Sequence, residues 1–177
     1  MITKLNNPKT ELYYQLKNLI LSTNFPWYYW PISTDEHENY INISYYGHIF
    51  LCRPEPSVDL LFPKVTSSEN IFIINNFLAS VARENNFKIN CLYRINANAC
   101  HPIDTEKLTV PHYDHEFPHK NLLIYLNDAG GETVVFNDDK TFTTHHPQED
   151  DIIIFDGLHC FKPPKKKRRL VLVATFI

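Results

Sequence analysis

From Lys88 to Ile177 the chain never runs long without a turn signal, which limits this half to short strands. Segments of β type fall near residues 88–99, 108–113, 119–126, 132–137, 140–146, 151–156 and 169–176. Pro102, Pro118, Gly130-Gly131, residues 137–139, Pro147 and Pro163-Pro164 separate them. Short strands at such intervals predict an antiparallel sandwich or jelly roll. The first 87 residues follow a different pattern. Asn7-Pro8 followed by Leu12, Leu16, Leu19 and Ile20 predicts a capped amphipathic helix to about Ser22, with Pro8 at its first position. Residues 24–31 form an aromatic connector, and residues 40–52 predict strands that turn near Gly47. A second helix is expected after Ser67 or Ser68, running to Glu84 with Ile71, Ile74, Leu78 and Val81 on one face. Both helices are expected to pack on the outside of the β structure.

Length and composition narrow the class. The 177 residues suit one domain, 44% apolar and 21% charged, with ordinary globular character. No apolar stretch approaches the roughly 18–20 residues of a membrane span. The N-terminal segment has no apolar core of a secretory signal. Cys52, Cys91, Cys100 and Cys160 show no paired spacing, so they are expected to be reduced thiols of a cytoplasmic protein. Net charge is −3, from 17 basic and 20 acidic residues. Six basic residues (Lys162, Lys165, Lys166, Lys167, Arg168 and Arg169) crowd one stretch, leaving 11 basic against 20 acidic elsewhere, a net −9. That stretch is either a solvated loop or a local attraction for an anion, a nucleic acid or an acidic partner.

The strongest chemical signal is His112-Tyr113-Asp114. On a strand, residues i and i+2 share a face, so His112 and Asp114 would point together into the barrel and Tyr113 away. One imidazole and one carboxylate are two metal ligands. His159, after the apolar strand ending at Phe155 and the Asp156-Gly157 break, is the natural third. Two histidines and a carboxylate on one face of an octahedral ion make the facial triad of non-haem Fe(II) oxygenases. Arg169 opens the last strand ten residues later and could clamp a carboxylate bidentately in the same cavity. The Tyr125 hydroxyl could join it.

Residues 88–177 resemble the catalytic core of Fe(II)/2-oxoglutarate-dependent dioxygenases, nearest the prolyl-hydroxylase-like branch and its short phage and bacterial members. The matching pieces come in order: His112 and Asp114, Tyr125-Leu126-Asn127, Gly130-Gly131-Glu132-Thr133, Glu149 to Phe155 leading to His159, and Arg169. The resemblance implies a double-stranded β-helix, mainly β with flanking helices, in one domain of residues 1–177. Residues 1–87 would support a catalytic core of residues 88–177. It implies Fe(II) held by His112, Asp114 and His159, and 2-oxoglutarate whose far carboxylate meets Arg169 and Tyr125. Asn96 and Asn98 would stand near the metal-binding end of the cosubstrate, on the strand where the family usually has a tyrosine. The implied reaction converts 2-oxoglutarate to succinate and CO2 while hydroxylating an aliphatic C–H bond, with ascorbate as a possible reductant. Asp114 favours hydroxylation, since related halogenases replace that acid with a small residue. The expected substrate is a small molecule or peptide, a free or peptidyl amino acid with proline as first candidate. No nucleic acid or membrane is expected as a partner.

Two other readings keep the histidines. A non-catalytic jelly-roll module that binds a metal or sugar would have no need of Arg169. A nucleic-acid demethylase would share the iron chemistry and use the lysine run on phosphates, against the overall acidity. His115 and His119 are expected to line an entrance or face solvent, because Pro118 bars a helix that would pair them. At most one of His145 and His146 can face the cavity. A Cys160–His159 nucleophile is disfavoured, because adjacent strand residues diverge, and the Gly130-Gly131 pair is expected to be a turn.

Overall fold

The computed structural model describes residues 1–34, 37–54, 68–139 and 141–177. The expected helix start at Ser67 and strand start at Lys140 lie outside the described residues. Among them are two helices, α1 (Glu11–Leu21) and α2 (Ile71–Glu84), and ten strands. The strands are β1 (Thr3–Leu5), β2 (Tyr28–Trp30), β3 (Tyr45–Leu51), β4 (Leu92–Cys100) and β5 (Lys120–Tyr125), then β6 (Thr133–Phe136), β7 (Phe142–His145), β8 (Ile152–Phe155), β9 (His159–Phe161) and β10 (Arg169–Phe176). They form a seven-stranded sheet, in the order β1-β8-β5-β10-β4-β3-β2, facing a three-stranded sheet, β7-β6-β9. Among the described residues every pair of these strands is antiparallel, as a jelly roll requires.

Period-2 alternation sorts the large sheet into two faces. Ile95, Ala97, Ala99, Leu122, Ile124, Leu170, Leu172, Ala174 and Phe176 bury themselves with Tyr13, Leu16 and Ile20 of α1 and Ile74, Phe77 and Val81 of α2. The alternate residues Leu123, Tyr125, Val171 and Val173 pack inward with Val135, Ile153 and Phe155. On β4 the same inward parity belongs to Arg94, Asn96, Asn98 and Cys100. An apolar sheet face thus anchors the helices, and its reverse carries polar groups toward the smaller sheet.

Several expectations need correction. Thr10, not Asn7, caps α1, its hydroxyl accepting from the Tyr13 N–H at 3.3 Å. Pro8 therefore precedes the helix, and Asn7 turns back on the Lys9 N–H instead. Gly47 makes no turn. It lies inside β3, opposite Tyr28 and Asn98, where an added Cβ would stand 3.0 Å from the Trp30 indole nitrogen. The aromatic connector itself contains β2, because Tyr28 to Trp30 pair with β3. Residues 108–113 form no regular strand: Thr109 and His112 make isolated bridges, to Ile41 and His159. The short strands β1 and β9 were not anticipated, since three residues are too few to show a period.

Candidate active site

His112 and His159 are held opposite each other by backbone. The His112 N–H donates to the His159 carbonyl at 2.9 Å and the His159 N–H returns the bond at 3.1 Å. Their ring centroids are 4.6 Å apart. In each ring Nδ1 lies 3.2 Å from a carbonyl two residues upstream, Val110 for His112 and Gly157 for His159. A carbonyl can only accept, so Nδ1 carries the proton and Nε2 keeps its lone pair, the tautomer a metal-ligating histidine needs. Burial, partly opposed by Asp114, pushes the His159 pKa down to about 4, so the ring is neutral at pH 7.

Asp114 joins them without the strand expected to carry it. Its Oδ2 lies 3.6 Å from His159 Nε2. Its Oδ1 accepts from Arg53 Nη2 at 2.8 Å and from Arg94 Nη1. Burial would raise this carboxyl's pKa, but Arg94, His159 and Arg53 outweigh it and hold the group ionised, well below the usual range. One oxygen is thus committed to guanidiniums and the other faces the histidines. Cis donors on an octahedral ion with bonds of ~2.1 Å stand ~3.0 Å apart, close to the 3.6 Å found. Among the described residues no three such side chains already close as a metal cage. The two imidazoles and one carboxylate nevertheless match, in donor type, a 2-His-1-carboxylate set.

The three line a cavity of about 550 Å³ that also takes in Arg94, Asn98, Thr133 and Arg169. Arg169 is 4% exposed. Its Nε donates to the Gly131 carbonyl at 3.1 Å and its Nη2 to the Thr133 hydroxyl at 3.2 Å. The guanidinium lies 4.6 Å from the Phe161 ring centre and 5.3 Å from that of Tyr125. Among the described residues no carboxylate contacts it, so a buried charge points into the cavity with room for an anion. Gly131 permits this approach: at φ +80°, a Cβ there would stand 2.7 Å from Arg169 Cδ.

Tyr125 and Asn96 stand behind the cavity wall rather than on it. The Tyr125 hydroxyl is bonded to Thr133 Oγ1 at 2.7 Å, so Thr133 presents the hydroxyl that the sequence suggested for Tyr125. Asn96 donates to Asn98 Oδ1 at 2.5 Å, its own Oδ1 buried without a partner, and Asn98 reaches the cavity. Sequence reasoning missed Arg94, Arg53 and Thr133. Arg94 carried a usable signal, sharing inward parity with Asn96 and Asn98.

The other histidines stay apart. His115 and His119 border an adjoining pocket with Arg53, Tyr113 and Phe117, but His119 is buried rather than solvent-facing. His145 pairs with Asp151 at 3.2 Å and His146 is exposed, so neither lines the cavity. Burial pushes the Cys160 thiol up to about 12, which removes it as a nucleophile. In the basic run, Lys162 and Lys165 both pair with Glu106.

No family model matches the sequence, and no curated protein does. Solved structures do match. A 2OG-Fe(II) oxygenase family oxidoreductase from Burkholderia pseudomallei aligns at TM-score 0.66 and 16% identity, over 84% of this chain and 72% of that one. A Trichoplax adhaerens prolyl hydroxylase, solved with a hypoxia inducible factor oxygen degradation domain peptide fragment, gives 0.62 at 13% identity, over 99% and 83%. A Pseudomonas putida prolyl-4-hydroxylase gives 0.58 at 11% identity, over 99% and 91%. With two facing antiparallel sheets and its helices on the outer face, the chain has the double-stranded β-helix fold of the prolyl-hydroxylase-like 2-oxoglutarate/Fe(II) oxygenases.

Proposed function

We propose that this protein is an Fe(II)- and 2-oxoglutarate-dependent dioxygenase that hydroxylates an aliphatic C–H bond of an amino-acid substrate. The observation that carries this reading is one cavity lined by His112 and His159, with ring centroids 4.6 Å apart and Nδ1 of each engaged by a carbonyl, by Asp114 with Oδ2 3.6 Å from His159 Nε2, and by the buried guanidinium of Arg169. His112, Asp114 and His159 would hold the ion, and the backbone bridge between the histidines presets their spacing before it binds. When bound, the iron centre would supply the four-electron reduction of O2, one oxygen atom going into the C–H bond and the other into succinate as 2-oxoglutarate loses CO2.

The chain's own residues bind, orient and keep water out. Arg169 would take the far carboxylate of 2-oxoglutarate through its guanidinium, and Thr133 would add its hydroxyl. Tyr125 would act through Thr133, fixing that hydroxyl by the 2.7 Å bond. Asn98, oriented by Asn96, would supply an amide nearer the metal. Leu123, Val171 and Val173 line the cavity with apolar surface and strengthen each polar contact by excluding water.

The test is an anaerobic titration of the metal-free protein with Fe(II) and then 2-oxoglutarate, following the weak visible charge-transfer band of a chelated 2-oxo acid. A band that saturates in the parent and is lost in Asp114→Ala supports the reading. Bound metal without a band would leave a metal-binding jelly roll that lacks this chemistry.

A further inference from the structure

Beyond the residues assigned above, the cavity contains two guanidiniums that, among the described residues, have no carboxylate of their own. Arg53 and Arg94 share a single oxygen of Asp114, and among the described residues no other carboxylate contacts either. They come from different elements: Arg94 from β4, and Arg53 from the segment after β3. Arg94 is opposite Thr175 in the register, whereas Arg169 is opposite Cys100, at the other end of the same strand pair. Arg94 is therefore at the other end of this strand pair from Arg169. Arg94 is mostly buried, while the Arg53 side chain is 48% exposed, at a mouth shared with the adjoining pocket.

Charge counting gives the pair a purpose, on the reading proposed above. Among the described residues, the charged side chains lining the cavity are Arg53, Arg94, Arg169 and Asp114. A divalent ion and the 2-oxoglutarate dianion cancel each other. Asp114 then offsets one of three guanidiniums and a surplus of two remains. Ligation also draws the Asp114 charge toward the metal through Oδ2, which weakens its hold on both arginines. Arg94, mostly buried, needs an anion, and the half-exposed Arg53 can share it, since a planar fork fits a carboxylate through two oxygens.

We infer that Arg53 and Arg94 form the substrate's anion anchor, and that the substrate is a small molecule with a free carboxylate near the hydroxylated carbon, not a residue inside a peptide. An internal peptidyl proline brings no negative charge to this place. A free amino acid brings a carboxylate on its α-carbon; its ammonium leaves the overall count unchanged, so the gain is local to the pair.

The experiment uses protein loaded with Mn(II), which permits binding without turnover. Affinity for 2-oxoglutarate is measured first by calorimetry; if it does not bind, the reading of the site falls, and this inference with it. The Mn(II)·2-oxoglutarate protein is then titrated with the free L-amino acids, proline included, and with the same amino acids as C-terminal amides. At least one acid should bind, and its amide should bind about 10- to 150-fold more weakly. Arg53→Gln should weaken the acid by a similar factor and flatten the acid-to-amide ratio, both read at Mn(II) and 2-oxoglutarate concentrations raised to saturate the variant. Arg94→Lys keeps a charge beside Asp114 so that folding is preserved, and should lose part of the same ratio. Normal 2-oxoglutarate binding overturns the anchor alone if no acid binds, if acid and amide bind alike, if a blocked prolyl peptide binds in their place, or if Arg53→Gln binds the acid as the parent does.

Discussion

The backbone N–H of His112 donates to the carbonyl of His159 and receives the reciprocal bond, so two residues 47 positions apart in sequence form one isolated antiparallel bridge. That bridge sets the spacing of two lone pairs before any ligand arrives. Neither imidazole has to find the other, and the entropy of bringing them together is met by folding.

Asp114→Asn tests the third donor with almost no change in shape. Metal affinity should fall well beyond the roughly 10–100-fold that loss of a supporting partner costs. Calorimetry with Mn(II) reads this directly, and unchanged affinity would remove Asp114 from the donor set.

Arg169→Ala should weaken 2-oxoglutarate binding about 10- to 150-fold, the equivalent of about 1.5–3 kcal/mol for hydrogen bonds to a charged group. Metal affinity should stay near the parent value, because Arg169 touches Gly131 and Thr133 and none of the three donors. A parallel loss of metal would mean that the variant disturbs the fold instead.

Two adjacent glycines separate backbone strain from crowding. Gly130 and Gly131 both have positive φ, +71° and +80°. An added Cβ at Gly130 meets nothing within 4 Å, whereas at Gly131 it stands 2.7 Å from Arg169 Cδ. Both alanine variants should lose about 1–3 kcal/mol of stability from the strain. Only Gly131→Ala should also lose 2-oxoglutarate affinity, by displacing Arg169. Thermal melts and calorimetry on the pair make the comparison.

Acid should loosen α1 through Asp150. Its carboxylate accepts from the Tyr13 hydroxyl and from Lys17 Nζ, tying that helix to the segment before β8. Burial would raise its pKa, but the Lys17 and Tyr13 hydrogen bonds prevail and lower it from the usual 3.8. A lowered folded value means the stabilisation is present above 3.8 and is lost as pH falls through the folded value. The Tm gap between the parent and Asp150→Asn should therefore be widest near neutrality and shrink below that range. Asparagine suits the test because it tolerates the φ of 71° at this position. A gap that does not change with pH would refute the link.

The last strand was legible to the residue: an apolar run from Leu170 to Phe176, interrupted by Thr175 and opened by Arg169, matches β10. His112 and Asp114 were legible as a pair through an argument the structure does not uphold, since their segment is bridged rather than strand-paired. Their common direction comes from the contact with β9. Arg94 shares the inward parity of Asn96 and Asn98 on a strand that alternates plainly, yet sequence alone does not distinguish it from a solvated arginine until the facing sheet covers it. Arg53 had no local signal at all.

Composition and period were enough to establish what depends on neighbours along the chain: two amphipathic helices, many short strands, and a histidine and an aspartate two residues apart. Which groups share a cavity was decided only by tertiary structure. The contacts of Asp114 with His159, Arg53 and Arg94 join residues from separate elements, and no local periodicity encodes them. The same holds for Gly131 beneath Arg169, where a missing side chain matters only because a distant strand approaches within 3 Å of where it would be. Local sequence sets propensity and face. The pairing of two sheets sets distance, and the chemistry of this cavity depends on distance.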